Sequence, residues 1–275
     1  MIQQLSPARE AYKLARLWRE VKGASYPVDA GALAVEWSRQ VDPAAAIGKV
    51  EAHELKSFEG GLFWLKERKE WALLYNPQPE VPGRANFTIA HEFGHYVLHR
   101  KRQERFECTQ QATLGMTSVL LEREADQFAS YLLMPIDDFK GQIGSRRVTL
   151  DLLSSCAQRY GVSLTAAMLK WVEFTEEAAV VVVGREGMLH WWRASSSARR
   201  FAFNALHEGM ELPSESLAVN ASMAVSFVDY RVGIYHMAHI WGMGVPLREM
   251  AVVSDRYDMS ISLLILDVPG IAHDE

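Results

Sequence analysis

The chain has 275 residues, 49% of them hydrophobic and 23% charged, a balance that excludes a disordered or fibrous chain and leaves material for two or three domains. Lys and Arg number 29 against 34 Asp and Glu, a formal net charge of −5, so no global positive field draws the protein to nucleic acid. Two cysteines, Cys108 and Cys156, cannot form a disulfide framework, the apolar runs fall short of the ~20 residues of a membrane span, and the charged N-terminus lacks the apolar run of a signal peptide, so a soluble cytoplasmic protein is expected.

Ser6 and Pro7 open a helix whose apolar positions Ala11, Leu14, Ala15, Trp18 and Val21 recur at helical spacing until Gly23. A second short helix runs from Asp29 towards Val41. Three strands follow, Lys49 to Leu55, Leu62 to Leu65 and Trp71 to Tyr75, the last two forming a hairpin across the charged turn Glu67 to Glu70. The third is expected at a sheet edge, open to an extended peptide. Beyond a Pro-rich loop, Phe87 to Leu98 reads as a helix, residues 101 to 117 as loop, and Val119 to Met134 as a helix stopped by Pro135. Leu150 to Val172 shows two helical patterns around a Gly-containing turn, the pattern of a helix-turn-helix. Strand-like runs then appear at Ala179 to Val183, Met188 to Arg193, Val225 to Asp229, Val232 to His236, Ala251 to Ser254 and Ile261 to Asp267. With one helix over Arg199 to His207, they make a second, α+β domain.

The residues that carry chemistry are His91-Glu92-Phe93-Gly94-His95, an HExxH motif. Two histidines four apart share one helix face, so both imidazoles reach one Zn²⁺, while Glu92 stands beside the attacking water as general base. Ala90, Phe93, Gly94 and Val97 gather on a core face, and Thr88, His91, Glu92, His95 and His99 on a polar stripe. His99 lies about 6 Å of rise beyond His95, too far to close a tetrahedron; it is expected to support the ligands from behind, to face the substrate, or to be a polar surface group. On the next helix Glu122 and Asp126, four apart, share a face, so Glu122 completes the metal site and Asp126 orients a ligating histidine. Glu124 points about 200° away and is expected in solvent. Two His and one Glu leave an open coordination position, the mark of a catalytic zinc.

Other features weigh less. The basic run Arg100, Lys101, Arg102 and Arg105 reads either as a solvated loop or as a surface for an acidic or DNA-bound partner. The second helix of the helix-turn-helix-like segment carries only Lys170 as a basic residue, so packing is expected there rather than direct DNA binding. Cys108 lies between the two ligand segments, where a thiol could fill the open position, although a lone cysteine is ordinarily inert. His236 and His239, three apart in a strand-like run, read as ordinary side chains.

FTIAHEFGHYVLH, followed from Glu122 by EREADQFASYLLMP, resembles the ImmA/IrrE family of metallopeptidases. RYGVSLTAAMLKW extends the resemblance, and RASSS at Arg193 to Ser197 resembles the start of the C-terminal domain in the IrrE branch. The resemblance implies an α+β protein with a minimal thermolysin-like (gluzincin-type) zinc peptidase domain over 1–140, a helix-turn-helix-like segment over 141–175 and a GAF-like sensor domain over 176–275. It implies ligands at His91, His95 and Glu122, Glu92 as base, and Zn²⁺ as cofactor with Mn²⁺ as the alternative in the cell. The implied substrate is a helix-turn-helix transcriptional repressor, cleaved to derepress stress or DNA-damage genes, with an unknown small-molecule or stress signal acting at the C-terminal domain. Rival expectations are a mobile-element antirepressor protease of the same family, and a non-catalytic DNA-binding or ligand-sensing regulator with a vestigial metal site.

Overall fold

The structure, a computed structural model, describes residues 5–54, 59–77, 83–108, 116–219, 227–254 and 258–269. The chain divides into two compact units, Met1–Gly141 with Ala157–Ser163, and Gln142–Cys156 with Leu164–Glu275. Each mixes helices and strands.

The first unit opens with α1 (Pro7–Lys22), which places Pro7 in the first turn where its missing N–H costs nothing, and buries Ala11, Leu14, Ala15 and Trp18. In α2 (Ala30–Val41) the Asp29 carboxylate accepts from the Ala32 N–H at 2.9 Å, an N-cap. Four strands, β1 (Ile47–Ala52), β2 (Gly60–Leu65), β3 (Glu70–Tyr75) and β4 (Arg105–Cys108), form one sheet in the order β1-β3-β2-β4. The β2–β3 hairpin forms as expected, with Leu62 opposite Leu73 and Trp64 opposite Trp71. Two expectations fail. Strand Trp71 to Tyr75 is not an edge, because β1 pairs with it in parallel on its other side, leaving β1 and β4 at the rims. Residues 101 to 117 are not all loop, because Arg105–Cys108 pairs antiparallel with Gly60–Phe63.

Helices α3 (Arg84–His99) and α4 (Met116–Leu133) pack against each other, α3 also lies on β2 and β3, and α1 runs along α4. A short α5 (Ile136–Ile143) follows. The helix-turn-helix pattern appears as α6 (Leu150–Tyr160) and α7 (Leu164–Phe174). Tyr160 and Arg159 both donate to Asp138, fixing the end of α6 to α5 within the first unit.

The second unit holds an antiparallel sheet of five strands, β5 (Ala179–Arg185), β6 (Met188–Ala194), β7 (Ile234–His236), β8 (Leu247–Ser254) and β9 (Met259–Leu266), in the order β6-β5-β9-β8-β7. The unbroken run Ala179 to Val183 is buried on both sides of the sheet, which is why β5 does not alternate in polarity. Val180, Val182, Leu264 and Leu266 share a core with Ala198 and Ala202 of and beside α8 (Arg199–Ala205) and with Trp241. The strand expected over Val225 to Asp229 is corrected: Val225 lies outside the described residues, and from Phe227 the chain forms a one-turn-plus helix, α9 (Phe227–Val232). Its aromatic and β-branched residues favour a strand, but in so short a piece tertiary packing overrides propensity. Among the described residues no helix is long and apolar enough to cross a membrane.

Candidate metal centre

The site is assembled where α3 and α4 touch. Gly83, at φ +81°, precedes α3, and a Cβ there would lie 2.5 Å from the Gly161 carbonyl oxygen, so only glycine lets the helix start in this place. One turn before its end, Gly94 brings α4 close: a Cβ on it would stand 3.0 Å from Phe128. Both the core face and the polar stripe of α3 are buried, including Thr88, His91, Glu92, His95 and His99.

His91, His95 and Glu122 converge, with one ligand atom from each all within 4.8 Å of one another, and they are the one such group of His, Cys, Asp and Glu among the described residues. His91 Nε2 lies 3.2 Å from Glu122 Oε2, and His95 Nε2 lies 3.4 Å from Glu122 Oε1 and 3.1 Å from His91 Nε2. On the far side of His91, Nδ1 lies 2.9 Å from the Asp126 carboxylate. Glu92, between the histidines in sequence, is fully buried.

Residues 49–171 match the peptidase family described as the IrrE N-terminal-like domain. Over this segment the chain is similar to that family. No curated protein sequence matches the chain. Among solved structures, a Mycobacterium tuberculosis transcriptional regulator shares the fold at a TM-score of 0.56 and 11% identity, over 94% of this chain and 76% of that one.

The electrostatics of the IrrE-like domain favour a cation at the point of convergence. Burial would pull the His91 imidazole down, but its hydrogen bonds with Asp126 and Glu122 outweigh that and hold it up at about 10. Burial drives His95 down to about 4 against the pull of Glu122. Burial alone would raise Glu122, yet the two histidines hold its carboxyl below the usual carboxylate range. Glu122 and Asp126 thus stabilise positive charge at this point, borne by a proton on His91 that a bound cation would displace. With Asp126 accepting from Nδ1 of His91, its Nε2 is the nitrogen left for a ligand. With that proton displaced, two imidazole nitrogens and one carboxylate oxygen face each other as acceptors that a divalent cation satisfies together, so the donor set fits a metal ion.

Several neighbours escaped the sequence. Glu124, expected in solvent, instead accepts from His99 at 2.8 Å, and His99, given a surface alternative, is fully buried with its Nδ1 3.0 Å from His95 Nδ1. A helical wheel gives the direction of a Cβ and ignores the reach of a glutamate toward a packed neighbour helix. Phe106 of β4 stacks on the His95 ring at 4.6 Å between centroids, a contact without sequence signal because β4 exists only by pairing with the distant β2. Gly60 falls before the strand expected from Leu62, but the structure puts it in β2, where a Cβ would stand 2.4 Å from Thr88 Cγ2 and 2.9 Å from Glu92 Oε1.

The lesser candidates fall elsewhere. Arg100 stacks over the Tyr96 ring at 4.6 Å and donates to the Tyr96 carbonyl, while Arg105 pairs with Glu107. Lys170 is buried and paired with Glu173 at 3.2 Å. His236 lies 2.8 Å from the buried Glu249. The side chain of Cys108 lies outside the described residues.

Proposed function

We propose that the protein is a zinc-dependent endopeptidase that cleaves a helix-turn-helix transcriptional repressor and so derepresses stress or DNA-damage genes. The observation that carries this reading is the convergence of His91, His95 and Glu122 within 4.8 Å, beside a buried Glu92, in an IrrE N-terminal-like domain. Residues 1–140 form the minimal thermolysin-like peptidase in this reading, 141–175 a helix-turn-helix-like segment used for packing, and 176–275 a GAF-like domain that receives a small-molecule or stress signal.

His91, His95 and Glu122 would hold the ion, Zn²⁺ or in the cell Mn²⁺, which when bound polarises the scissile carbonyl and acidifies water. Glu92 does the proton work: its carboxylate takes a proton from the attacking water and delivers it to the leaving amine. Burial excludes competing solvent from Glu92, and the bare backbone at Gly60 leaves its carboxylate room to turn between those two partners. Asp126 holds His91 in orientation through Nδ1. The rim strand β4, which carries Phe106 against His95, replaces β3 as the edge on which an extended substrate would lie.

Incubating the purified, metal-loaded chain with helix-turn-helix repressors and following fragments by mass spectrometry tests the reading. Cleavage by the parent and none by Glu92→Gln is expected. A parent that carries metal yet leaves every repressor intact, or equal cleavage by Glu92→Gln, overturns it.

A further inference from the structure

His99 is a histidine with no exposed surface, and both of its ring nitrogens are engaged. Its Nε2 lies 2.8 Å from a Glu124 carboxylate oxygen and its Nδ1 lies 3.0 Å from Nδ1 of His95. An ionised carboxylate only accepts, so His99 donates its Nε2–H to Glu124 and keeps a lone pair on Nδ1. His95 must then donate Nδ1–H to that lone pair, which leaves the free lone pair of His95 on Nε2. That nitrogen is the one lying 3.4 Å from Glu122 and 3.1 Å from His91, at the convergence of the three ligand atoms. Phe106 covers the ring face of His95, so tilt is fixed by stacking and tautomer by the chain of hydrogen bonds.

We propose that Glu124 is a positioning residue for the metal site, acting through His99 to hold His95 in the tautomer and orientation of a ligand. The inference rests on the metallopeptidase reading and extends it to two side chains outside the HExxH motif and its glutamate. The site then has two relays of different length: Asp126 acts on His91 directly and is largely exposed, whereas Glu124 acts on His95 through an imidazole sealed from solvent. The sealed relay is the stronger lever, because hydrogen bonds in a low-dielectric interior polarise one another and are not diluted by water.

The test uses the full chain, stripped of metal and titrated with Zn²⁺ in competition with a chromophoric chelator, alongside Co²⁺ absorption spectra and thermal melts of the metal-free protein. Glu124→Ala is expected to weaken Zn²⁺ binding by roughly 10 to 100 fold and to shift the Co²⁺ bands, with the metal-free melt close to that of the parent. Glu124→Gln, which keeps shape and an acceptor but loses the charge, should fall between, and it serves the same purpose if the alanine variant folds poorly. Arg123→Ala, exposed on the same turn, should leave affinity unchanged. In a His99→Leu background the Glu124 change should have no further effect, since the carboxylate acts through the imidazole. Affinity of Glu124→Ala within about twofold of the parent, full additivity with His99→Leu, or a metal-free melt that falls while affinity holds, overturns the relay. A parent that binds neither Zn²⁺ nor Co²⁺, indistinguishable from His91→Ala, overturns the metallopeptidase reading instead.

Discussion

Two carboxylates, Glu122 in the first unit and Glu249 in the second, each lie within about a hydrogen-bond length of histidine, and they are solved in opposite ways. Glu249 is fully buried and ringed by donors: the Ser216 and Ser262 hydroxyls each donate to Oε1 at 2.7 Å, and the Leu217 N–H and Trp241 indole donate to Oε2 at 3.2 and 3.4 Å. A carboxylate so surrounded is complete, and it ties residues 216 and 217, Trp241 and β9 to β8. Glu122 faces two imidazoles whose far nitrogens are committed to Asp126 and His99 as donors, so that once His91 gives up its second proton both near nitrogens are acceptors beside the carboxylate and only a cation completes the set. Histidine beside a buried carboxylate therefore does not by itself identify a metal site. The balance of donors and acceptors does.

The contrast is open to measurement. Glu92→Gln should have the largest effect, a loss of about 10² to 10⁴ in turnover with metal content unchanged, read by repressor cleavage and by elemental analysis of the dialysed protein. Glu122→Ala should leave the chain folded but weaken metal binding by more than the roughly 10 to 100 fold typical of a supporting residue, whereas Glu249→Ala should retain the full metal content of the parent. If the two variants lose metal equally, the distinction between them is gone. In urea the order reverses. Glu249→Ala strands two hydroxyls, an indole N–H and a backbone N–H, and should cost about 3 kcal/mol, seen as a lower unfolding midpoint. Gly60→Ala should be the mildest in stability, about 1 to 3 kcal/mol for an overpacked contact, yet should reduce turnover because the new methyl meets Glu92 and Thr88. Normal turnover in that variant would show that Glu92 does not need the space.

The contrast also explains what the sequence could disclose. HEFGH and the four-residue step from Glu122 to Asp126 are local, and helical periodicity alone placed both segments on helices that the structure brings together. Contacts made by long-range pairing had no such signature. β4 is four residues beside a basic run, and it becomes a strand only because β2 is there to pair with it. The parallel partner of β3 arrives from an earlier segment, so nothing around Trp71 reveals that both its edges are taken. Glu124 departs from its expected place in solvent because its partner, His99, lies on another helix. The Glu249 cluster was invisible for the same reason: its donors come from residues 216, 217, 241 and 262.

The seat of α3 has a consequence for how the chain matures. Gly83 starts α3 against Gly161 and Val162, and Asp138 receives Arg159 and Tyr160, so Ala157–Ser163 return to the first unit after Gln142–Cys156 have joined the second. A chain emerging from the ribosome carries both ligand helices well before the strip that seats them. Metal capture should therefore wait for residue 163 to clear the exit tunnel, and a protease nicking the stretch between Gln142 and Cys156 would leave the first unit in two pieces that only non-covalent contacts hold together.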